Sequence, residues 1–204
     1  MIAIIDYDAG NIKSVEKAFH YLGQEAVITR DADIILNADG VILPGVGAFG
    51  DAMAKLHSFG LVEVIHRCVD KNIPFLGICL GLQLLFEGSE ESPGVEGLHI
   101  LDGRILRLPS GVGLKIPHIG WNDLKFPNEG RLFKGISEKA YVYFVHSYYL
   151  QADKADIVTA TTNYGELIHA SVEKDNVFAC QFHPEKSSDV GMQILRNFVS
   201  VVED

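Results

Sequence analysis

Apolar positions in the first half of the chain follow two alternating periods. Residues 2–6 (IAIID) form a continuous apolar run, and from Asn11 onward apolar residues recur at helical spacing until Gly23. The same succession returns in the runs EAVIT, GVIL and PFLGI, which are separated by amphipathic stretches such as LVEVIHRCVDK. Continuous apolar strands that alternate with helices are typical of a parallel sheet covered on both faces.

The pattern changes after about residue 95. Short strand-like runs follow one another there, namely GRILRL, GWNDLKF, YVYFVH, DIVTATT, LIHASVE and VFACQF. The closing segment DVGMQILRNFVSVV returns to the helical period. We therefore predict an α/β fold with an open, mostly parallel sheet and antiparallel additions in the C-terminal half. Because no repeat or linker interrupts the pattern, we expect a single domain over residues 1–204.

Composition and charge narrow the classes of function. Hydrophobic residues make up 48% and charged residues 22% of the chain, the balance of a folded globular protein. No signal-peptide pattern opens the sequence and no apolar run reaches the ~20 residues needed to span a bilayer, so we expect a cytoplasmic protein. The net charge of −10 argues against nucleic acid as a partner. Three cysteines without metal-ligand spacing predict neither a disulfide framework nor a zinc site, and we expect no metal or cofactor.

The segment GICLG, residues 77–81, lies between a predicted strand and the helical stretch LGLQLLF. This context is typical of a nucleophile elbow, in which glycines two residues on either side of a strained turn let strand and helix approach closely. Cys79 is then placed at a helix amino terminus, where the macrodipole favours the reactive thiolate. Cys68 and Cys180 continue the apolar faces of their elements, and we interpret them as structural.

The segment QFHPE, residues 181–185, offers a general base for this nucleophile. Pro184 disfavours helical backbone at His183, and in an extended stretch alternate side chains point the same way, so His183 and Glu185 share a side. A carboxylate beside an imidazole fixes its tautomer while the other ring nitrogen takes the thiol proton. Taken alone, such a pair is more often a surface ion pair.

The segment PGVG, residues 44–47, follows the predicted strand GVIL, at the carboxyl end where parallel sheets place their sites. We predict that the N–H group of Val46 or Gly47, together with that of Leu80, stabilises the oxyanion of a tetrahedral intermediate. An ordinary tight turn is the alternative. A phosphate-binding loop is disfavoured because the GxxxxGK[ST] pattern is absent.

Together, the GxCxGxQ elbow with Gln83, the HPE segment and the PGVG loop resemble the class I, or triad, glutamine amidotransferases. More narrowly, DYDAGN, PHIGWN, YFVHSYY and QFHPEKSS are similar to segments of the glutaminase subunits of imidazole glycerol phosphate synthase. The resemblance spans nearly the whole chain. It implies a flavodoxin-like open sheet and the hydrolysis of L-glutamine to glutamate and ammonia.

The resemblance also implies roles for individual residues. Cys79 is expected to form a glutamyl thioester, with His183 acting first as base and then as acid, and with Glu185 orienting it. Residues expected to bind the substrate are Gln83, Gly47 and Ser147.

A partner follows from the resemblance alone, since the family's second subunit is a TIM-barrel cyclase that receives the ammonia through a protected tunnel. A heterodimer in histidine biosynthesis is therefore expected. Positions that lie toward the cyclase in the family are matched here by Asn11, Pro117, His118, Trp121, Asn122, Tyr143, His146 and Lys186. Three alternatives stay open: a paralogous glutaminase that feeds a sugar amidotransferase, a free-standing cysteine hydrolase or peptidase, and a non-catalytic binding module.

Overall fold

A computed structural model describes residues 1–111 and 113–203 of the chain. In the first half, strands and helices alternate as the hydrophobic pattern predicts. The strands there are β1 (Ile2–Ile5), β2 (Ala26–Thr29), β3 (Gly40–Leu43) and β4 (Phe75–Ile78), and the helices are α1 (Ile12–Tyr21), α2 (Ala32–Leu36), α3 (Phe49–Ser58), α4 (Leu61–Asp70) and α5 (Leu80–Leu84).

The second half is mostly strand, as expected from its short apolar runs. Its strands are β5 (Gly103–Arg107), β6 (His118–Asp123), β7 (Tyr141–His146), β8 (Tyr148–Ala152), β9 (Val158–Asn163), β10 (Leu167–Lys174) and β11 (Val177–Cys180), and the last helix is α6 (Ser188–Glu203). Short 3-10 turns lie at Arg131–Phe133, Ala155–Ile157 and Pro184–Lys186.

The main sheet of the described residues has seven strands in the order β2-β1-β3-β4-β11-β10-β9. Strands β2, β1, β3, β4 and β11 run parallel, whereas β10 and β9 are antiparallel additions at one edge. Two antiparallel pairs, β5 with β8 and β6 with β7, lie outside this sheet. The predicted fold class is therefore confirmed, and the order 2-1-3-4 with β11 in fifth place is that of flavodoxin-like sheets.

Helices cover both faces of the sheet because successive strand residues point to opposite sides. On one face, Ile5 of β1 belongs to a core cluster with Phe49 of α3 and Ile65 of α4. On the other face, Ile4 belongs to a cluster with Phe19 of α1 and Phe198 of α6. This two-sided burial explains why β1, β3 and β4 are apolar at every position rather than alternating.

The helix after the elbow is shorter than the stretch LGLQLLF predicts. It ends at Leu84 because the next segment of the chain folds back onto it: the carbonyl of Leu84 accepts from the N–H of Leu98, and that of Leu85 from the N–H groups of Ile100 and Leu101. Strand β8, which follows β7 after a single residue, was not predicted. Among the described residues, no helix is long and apolar enough to cross a membrane.

Candidate active site

The turn between β4 and α5 has the strained geometry of a nucleophile elbow. Cys79 adopts φ 56° and ψ −108°, a backbone conformation that residues other than glycine rarely take. A Cβ atom at Gly81 would lie 1.8 Å from the Leu43 carbonyl oxygen, and one at Gly77 would lie 2.8 Å from the Gly81 carbonyl oxygen. Both glycines are therefore required by close backbone approach, as the sequence predicts.

Cys79 is almost fully buried, and two polar groups surround its sulfur. The Sγ atom lies 3.6 Å from the Gln181 side-chain nitrogen Nε2 and 3.9 Å from the Val145 carbonyl oxygen. The backbone N–H of Cys79 donates to the Cys180 carbonyl at 2.8 Å, which ties the elbow to the neighbouring strand β11. The nucleophile candidate thus follows β4 directly and is hydrogen-bonded to the parallel strand β11.

The other two thiols have the surroundings of structural cysteines. Cys68 and Cys180 are fully buried. Burial raises the pKa of Cys68 to about 11 and holds the pKa of Cys180 well above its usual value. A thiol that stays protonated is a poor nucleophile.

His183 and Glu185 form a buried hydrogen-bonded pair at the carboxyl end of β11. Nδ1 of His183 lies 2.8 Å from Oε1 of Glu185, and the Glu185 side chain has no exposed surface. His183 is extended, with φ −100° and ψ 97°, as expected before Pro184. Its backbone N–H donates to the Tyr143 carbonyl at 2.9 Å, so strand β7 holds the imidazole in place.

A third side chain completes this pair. The amide of Asn11, at the start of α1, donates to Oε1 of Glu185 at 2.7 Å. The same carboxylate oxygen therefore receives two hydrogen bonds, which fixes its position against the imidazole. The sequence placed Asn11 only at a partner surface, because a contact between residues 174 positions apart leaves no local signal.

The electrostatics of this group favour a proton on His183. Burial lowers the pKa of His183, but the neighbouring Cys79 and the hydrogen bond with Glu185 outweigh this effect and raise it to about 9. The second ring nitrogen, Nε2, is buried and has no hydrogen-bond partner within the described residues. An imidazolium beside a cysteine stabilises the thiolate, which is the reactive form of the nucleophile.

The three residues expected to bind an oxyanion lie together beside Cys79. Val46, Gly47 and Leu80 all line the pocket over the sulfur, and Gly47 has φ +105°. However, the Leu80 N–H donates to the Gly45 carbonyl at 3.3 Å. In this conformation, the Leu80 donor is therefore occupied by the PGVG loop itself.

A pocket of about 280 Å³ opens above Cys79. Its lining includes the expected substrate-binding residues Gln83, Gly47 and Ser147, which the fold brings together from α5, the PGVG loop and the turn between β7 and β8. Two larger depressions, of about 640 and 430 Å³, lie elsewhere on the surface and contain neither Cys79 nor His183. The chemistry therefore lies in a smaller pocket than the largest available.

Glu91 is a lining residue that the sequence did not reveal. It lines the pocket from the loop after α5, and its carboxylate accepts the N–H of Phe49 at 2.8 Å. It is the one acidic side chain in the described lining. In an acidic chain with several nearby glutamates, sequence alone gives no reason to choose this one.

The residues expected to face a partner divide by exposure. Pro117, Trp121 and Lys186 are exposed, whereas Asn11, Asn122 and Tyr143 are half-buried. His118 and His146 are buried and hydrogen-bonded to each other. Both rings are almost fully enclosed within this chain, and the expectation that these two positions lie toward a partner stays a prediction.

Comparisons with known proteins agree with this geometry. The family model for class-I glutamine amidotransferases matches residues 3–202. Over 204 residues the chain is 53% identical to the imidazole glycerol phosphate synthase subunit HisH of Bacillus cereus, covering 100% of this chain and 96% of that protein. It is 50% identical to the same subunit of Methanothermobacter thermautotrophicus, covering 99% of each chain. The chain belongs to the class-I glutamine amidotransferases, in the HisH family.

Solved structures show the same fold at lower sequence identity. A crystal structure of a glutamine amidotransferase superposes with a TM-score of 0.79 at 19% identity and covers 100% of both chains. A structure of PurLQS from Thermotoga maritima gives a TM-score of 0.76 at 20% identity, with 98% of each chain covered. These structures confirm the fold, while the family model and the HisH relatives confirm the family resemblance and the enzyme class that it implied.

Proposed function

We propose that the chain hydrolyses L-glutamine with Cys79 as nucleophile and His183 as proton carrier, and that it delivers the ammonia to a cyclase subunit. The observation that carries this proposal is the convergence of Cys79 with the buried His183–Glu185 pair at the ends of adjacent parallel strands. A pocket of about 280 Å³ opens over the sulfur of Cys79. Binding modules have no need for a nucleophile on a strained turn.

The chemistry proceeds in two halves. The Cys79 thiolate attacks the carboxamide carbon of glutamine, and the C–N bond breaks as His183 gives its proton to the departing ammonia. The resulting glutamyl thioester is attacked by water, from which His183 takes a proton, and the C–S bond then breaks to release glutamate. Glu185 and Asn11 hold the imidazole in one tautomer throughout.

The pocket lining matches the charges of glutamine. We assign the α-ammonium group to Glu91, since an anionic side chain there neutralises it within a mostly uncharged pocket. Gln83 uses its side-chain nitrogen to donate to the Tyr148 carbonyl at 3.1 Å and to Gln181 at 3.0 Å. Its oxygen therefore stays available as an acceptor. Ser147 and Gly47 complete the wall around the substrate.

The oxyanion site requires one peptide to turn. In a peptide plane the carbonyl and the following N–H point in opposite directions. Turning the Gly45–Val46 peptide would remove the carbonyl that now occupies the Leu80 N–H and would present the Val46 N–H in its place. One movement thus creates both donors. The observed conformation corresponds to a resting state.

A row of exposed side chains lies beside the pocket. Along β6 and β7 one row of side chains packs inward, while the outward row carries Ile119, Trp121 and Tyr141, which are 60%, 50% and 56% exposed. Exposed aromatic and aliphatic side chains in one row favour protein docking. We propose that this row, with Pro117 and Lys186 nearby, contacts the TIM-barrel cyclase. A cytoplasmic location and a single domain over residues 1–204 stay predictions.

The test measures glutamate release from glutamine beside peptide and ester substrates. We expect glutamine alone to be turned over, and a glutamine analogue carrying a diazoketone to label Cys79 stoichiometrically. Turnover of peptides instead of glutamine would favour a free-standing hydrolase. If Cys79 were not labelled, a binding module would be favoured. Co-purification from the source cell identifies the acceptor: a TIM-barrel cyclase supports this proposal, whereas a sugar amidotransferase would replace it.

A further inference from the structure

Two histidines are buried where β6 and β7 meet behind the glutamine pocket. His118 and His146 are register partners in this strand pair and are only 3% and 6% exposed. Nδ1 of His118 lies 3.0 Å from Nε2 of His146. The His118 ring also stacks against the rings of Tyr164 and Phe144, with centroids 3.9 and 4.9 Å away. Because a buried polar ring loses its hydration, two apolar side chains would be buried here at a lower cost in free energy.

The hydrogen-bond partners determine where each ring carries its hydrogen. Nδ1 of His146 lies 2.9 Å from the Tyr148 carbonyl oxygen, which can only accept, so Nδ1 is protonated. Burial lowers the pKa of His118 to about 4 and that of His146 to about 3, so each ring has one hydrogen at pH 7. Nε2 of His146 is therefore an acceptor, and His118 donates to it from Nδ1. The amide of Asn122 faces the remaining nitrogen of His118 at 3.5 Å.

Hydrogen bonds connect this histidine pair to the reacting groups. The Tyr148 carbonyl that accepts from His146 also accepts from Nε2 of Gln83 at 3.1 Å. Gln83 donates in addition to Oε1 of Gln181 at 3.0 Å, and Nε2 of Gln181 lies 3.6 Å from the Cys79 sulfur. A continuous series of hydrogen bonds therefore joins the buried histidines to the nucleophile.

The same residues form the pocket wall. His146, Ser147 and Tyr148 line the cavity opposite Gln83 and Cys79. A shift of the Tyr148 carbonyl would release one of the two hydrogen bonds that hold the Gln83 amide. Buried polar networks of this kind fix one arrangement when every member is satisfied.

We propose that His118 and His146 are positioning residues of the glutaminase reaction: as two neutral rings protonated on Nδ1, they hold the Tyr148 carbonyl, and through it Gln83, in the geometry that binds glutamine. This inference rests on the proposed function of the same pocket. The family resemblance places both positions toward a partner, and that expectation stays a separate prediction.

The first test is spectroscopic and needs no substitution. In long-range proton–nitrogen spectra of the full chain with labelled histidine at pH 7, two of the eight histidines should be neutral Nδ1–H tautomers, the form less common in free histidine. The signals are assigned by loss of one of them in His118→Asn. Spectra in which these two rings are charged, or protonated on Nε2, would overturn the proposal.

The second test separates positioning from packing. His118→Phe keeps a flat ring in the stack but removes the donor to His146, and we expect the KM for glutamine to rise about tenfold with kcat within about threefold. His118→Asn places an amide nitrogen near the position of Nδ1 and should restore KM to within about threefold of the unsubstituted chain.

His169→Phe is the matched control. Nδ1 of His169 accepts the N–H of Ala152 at 3.0 Å, so this ring is also hydrogen-bonded to a strand, but within the described residues it makes no hydrogen bond to Tyr148 or Gln83. Its KM should stay unchanged. An unchanged KM in His118→Phe, or equal losses in the Phe and Asn variants, would refute positioning. If the unsubstituted chain released no glutamate, the proposed function would fail, while the tautomer spectra would still decide the state of the pair.

Discussion

At the scale of single residues, Cys79 differs from the other two thiols by its backbone and by its neighbours. We expect Cys79→Ser to reduce glutaminase activity by at least about 10³-fold while the chain stays folded, because a hydroxyl is far less acidic than a thiol. Glutamate release and circular dichroism measure the two effects. Cys68→Ser and Cys180→Ser are the controls, and an equal loss of activity in either folded control would identify a different nucleophile.

The pair of His183 and Glu185 allows a ranking of roles. His183→Ala removes the proton carrier and should lower kcat by about 10³-fold. Glu185→Gln keeps an oxygen that can accept from His183 and Asn11, so its loss should be smaller. Steady-state kinetics at saturating glutamine compare the two variants. A larger loss of kcat in Glu185→Gln than in His183→Ala would show that the carboxylate does more than orient the imidazole.

The raised pKa of His183 also predicts how stability depends on pH. A folded-state pKa of about 9 against an unfolded value of 6.5 means that the folded chain holds this proton more tightly. The contribution of this proton to the free energy of unfolding is fully present below pH 6.5 and is lost as the pH rises through 9. Its size is on the order of 3 kcal/mol. Unfolding free energies of the unsubstituted chain and His183→Gln should converge over this interval, and a constant difference would contradict the assignment.

Site residues could be predicted from the sequence where their neighbours in the chain constrain the backbone. The glycines around Cys79 and the proline after His183 each constrain the backbone locally, so their consequences could be predicted. Asn11 was not assigned to the site because it reaches Glu185 from 174 positions away, so its role depends on which strand ends meet in the sheet. Glu91 lies close to Cys79 in the chain but was not assigned because the neighbouring glutamates give the same local signal.

At the scale of secondary structure elements, the elbow depends on the contact between α5 and the end of β3. A Cβ atom at Gly81 would lie 1.8 Å from the Leu43 carbonyl oxygen, so Gly81→Ala must move one backbone segment. We expect a loss of about 3 kcal/mol or more in unfolding free energy, or no folded protein. Urea denaturation measures it.

Gly111→Ala is the control for this prediction. The nearest atom to a Cβ at Gly111 is a Leu114 methyl carbon at 3.5 Å, an ordinary contact. Its effect should stay within about 0.5 kcal/mol. Similar losses in both alanine variants would mean that the elbow is no tighter than a loop.

Elements were predictable where hydrophobic period and local breaks agree. The strands β1, β3 and β4 and the helices α1, α4 and α6 follow from the pattern within a few residues. The early end of α5 does not, because it results from backbone groups of residues 98–101 that compete for its carbonyls. Strand β8 was missed because no glycine or proline separates it from β7.

At the scale of the whole molecule, the sheet order brings together what the sequence keeps apart. Strands β1, β3, β4 and β11 are neighbours in the sheet, and their carboxyl ends carry Asn11, the PGVG loop, Cys79 and His183. Alternation of strands and helices predicted a parallel sheet but not that β11 pairs with β4, whose register partners such as Phe75 and Val177 lie 102 positions apart. That pairing depends on long-range packing in the core rather than on any local segment of the sequence.

We expect glutamine hydrolysis by this chain to be coupled to its proposed cyclase. Ammonia released into water becomes mostly ammonium and is lost as a nucleophile, so a glutaminase that serves a partner benefits from a site completed only on binding. In the observed conformation the Gly45 carbonyl occupies the Leu80 N–H, and a missing oxyanion donor typically costs ~10²-fold or more in rate. The chain alone should therefore be slow, and the cyclase with its nucleotide ligand should accelerate it about 10²-fold by favouring the turned peptide.

Two measurements decide this prediction. Glutamate release is followed with and without cyclase and nucleotide, using Trp121→Ala to weaken the outward row of β6 and Tyr21→Ala, an exposed aromatic on α1, as its control. Activation should fall in the first variant and persist in the second. A complex with Cys79→Ala should make cyclase product from ammonium salt but none from glutamine. A full glutaminase rate in the lone chain would exclude gating and leave the triad intact, whereas failure to use ammonium would exclude the division of labour between subunits.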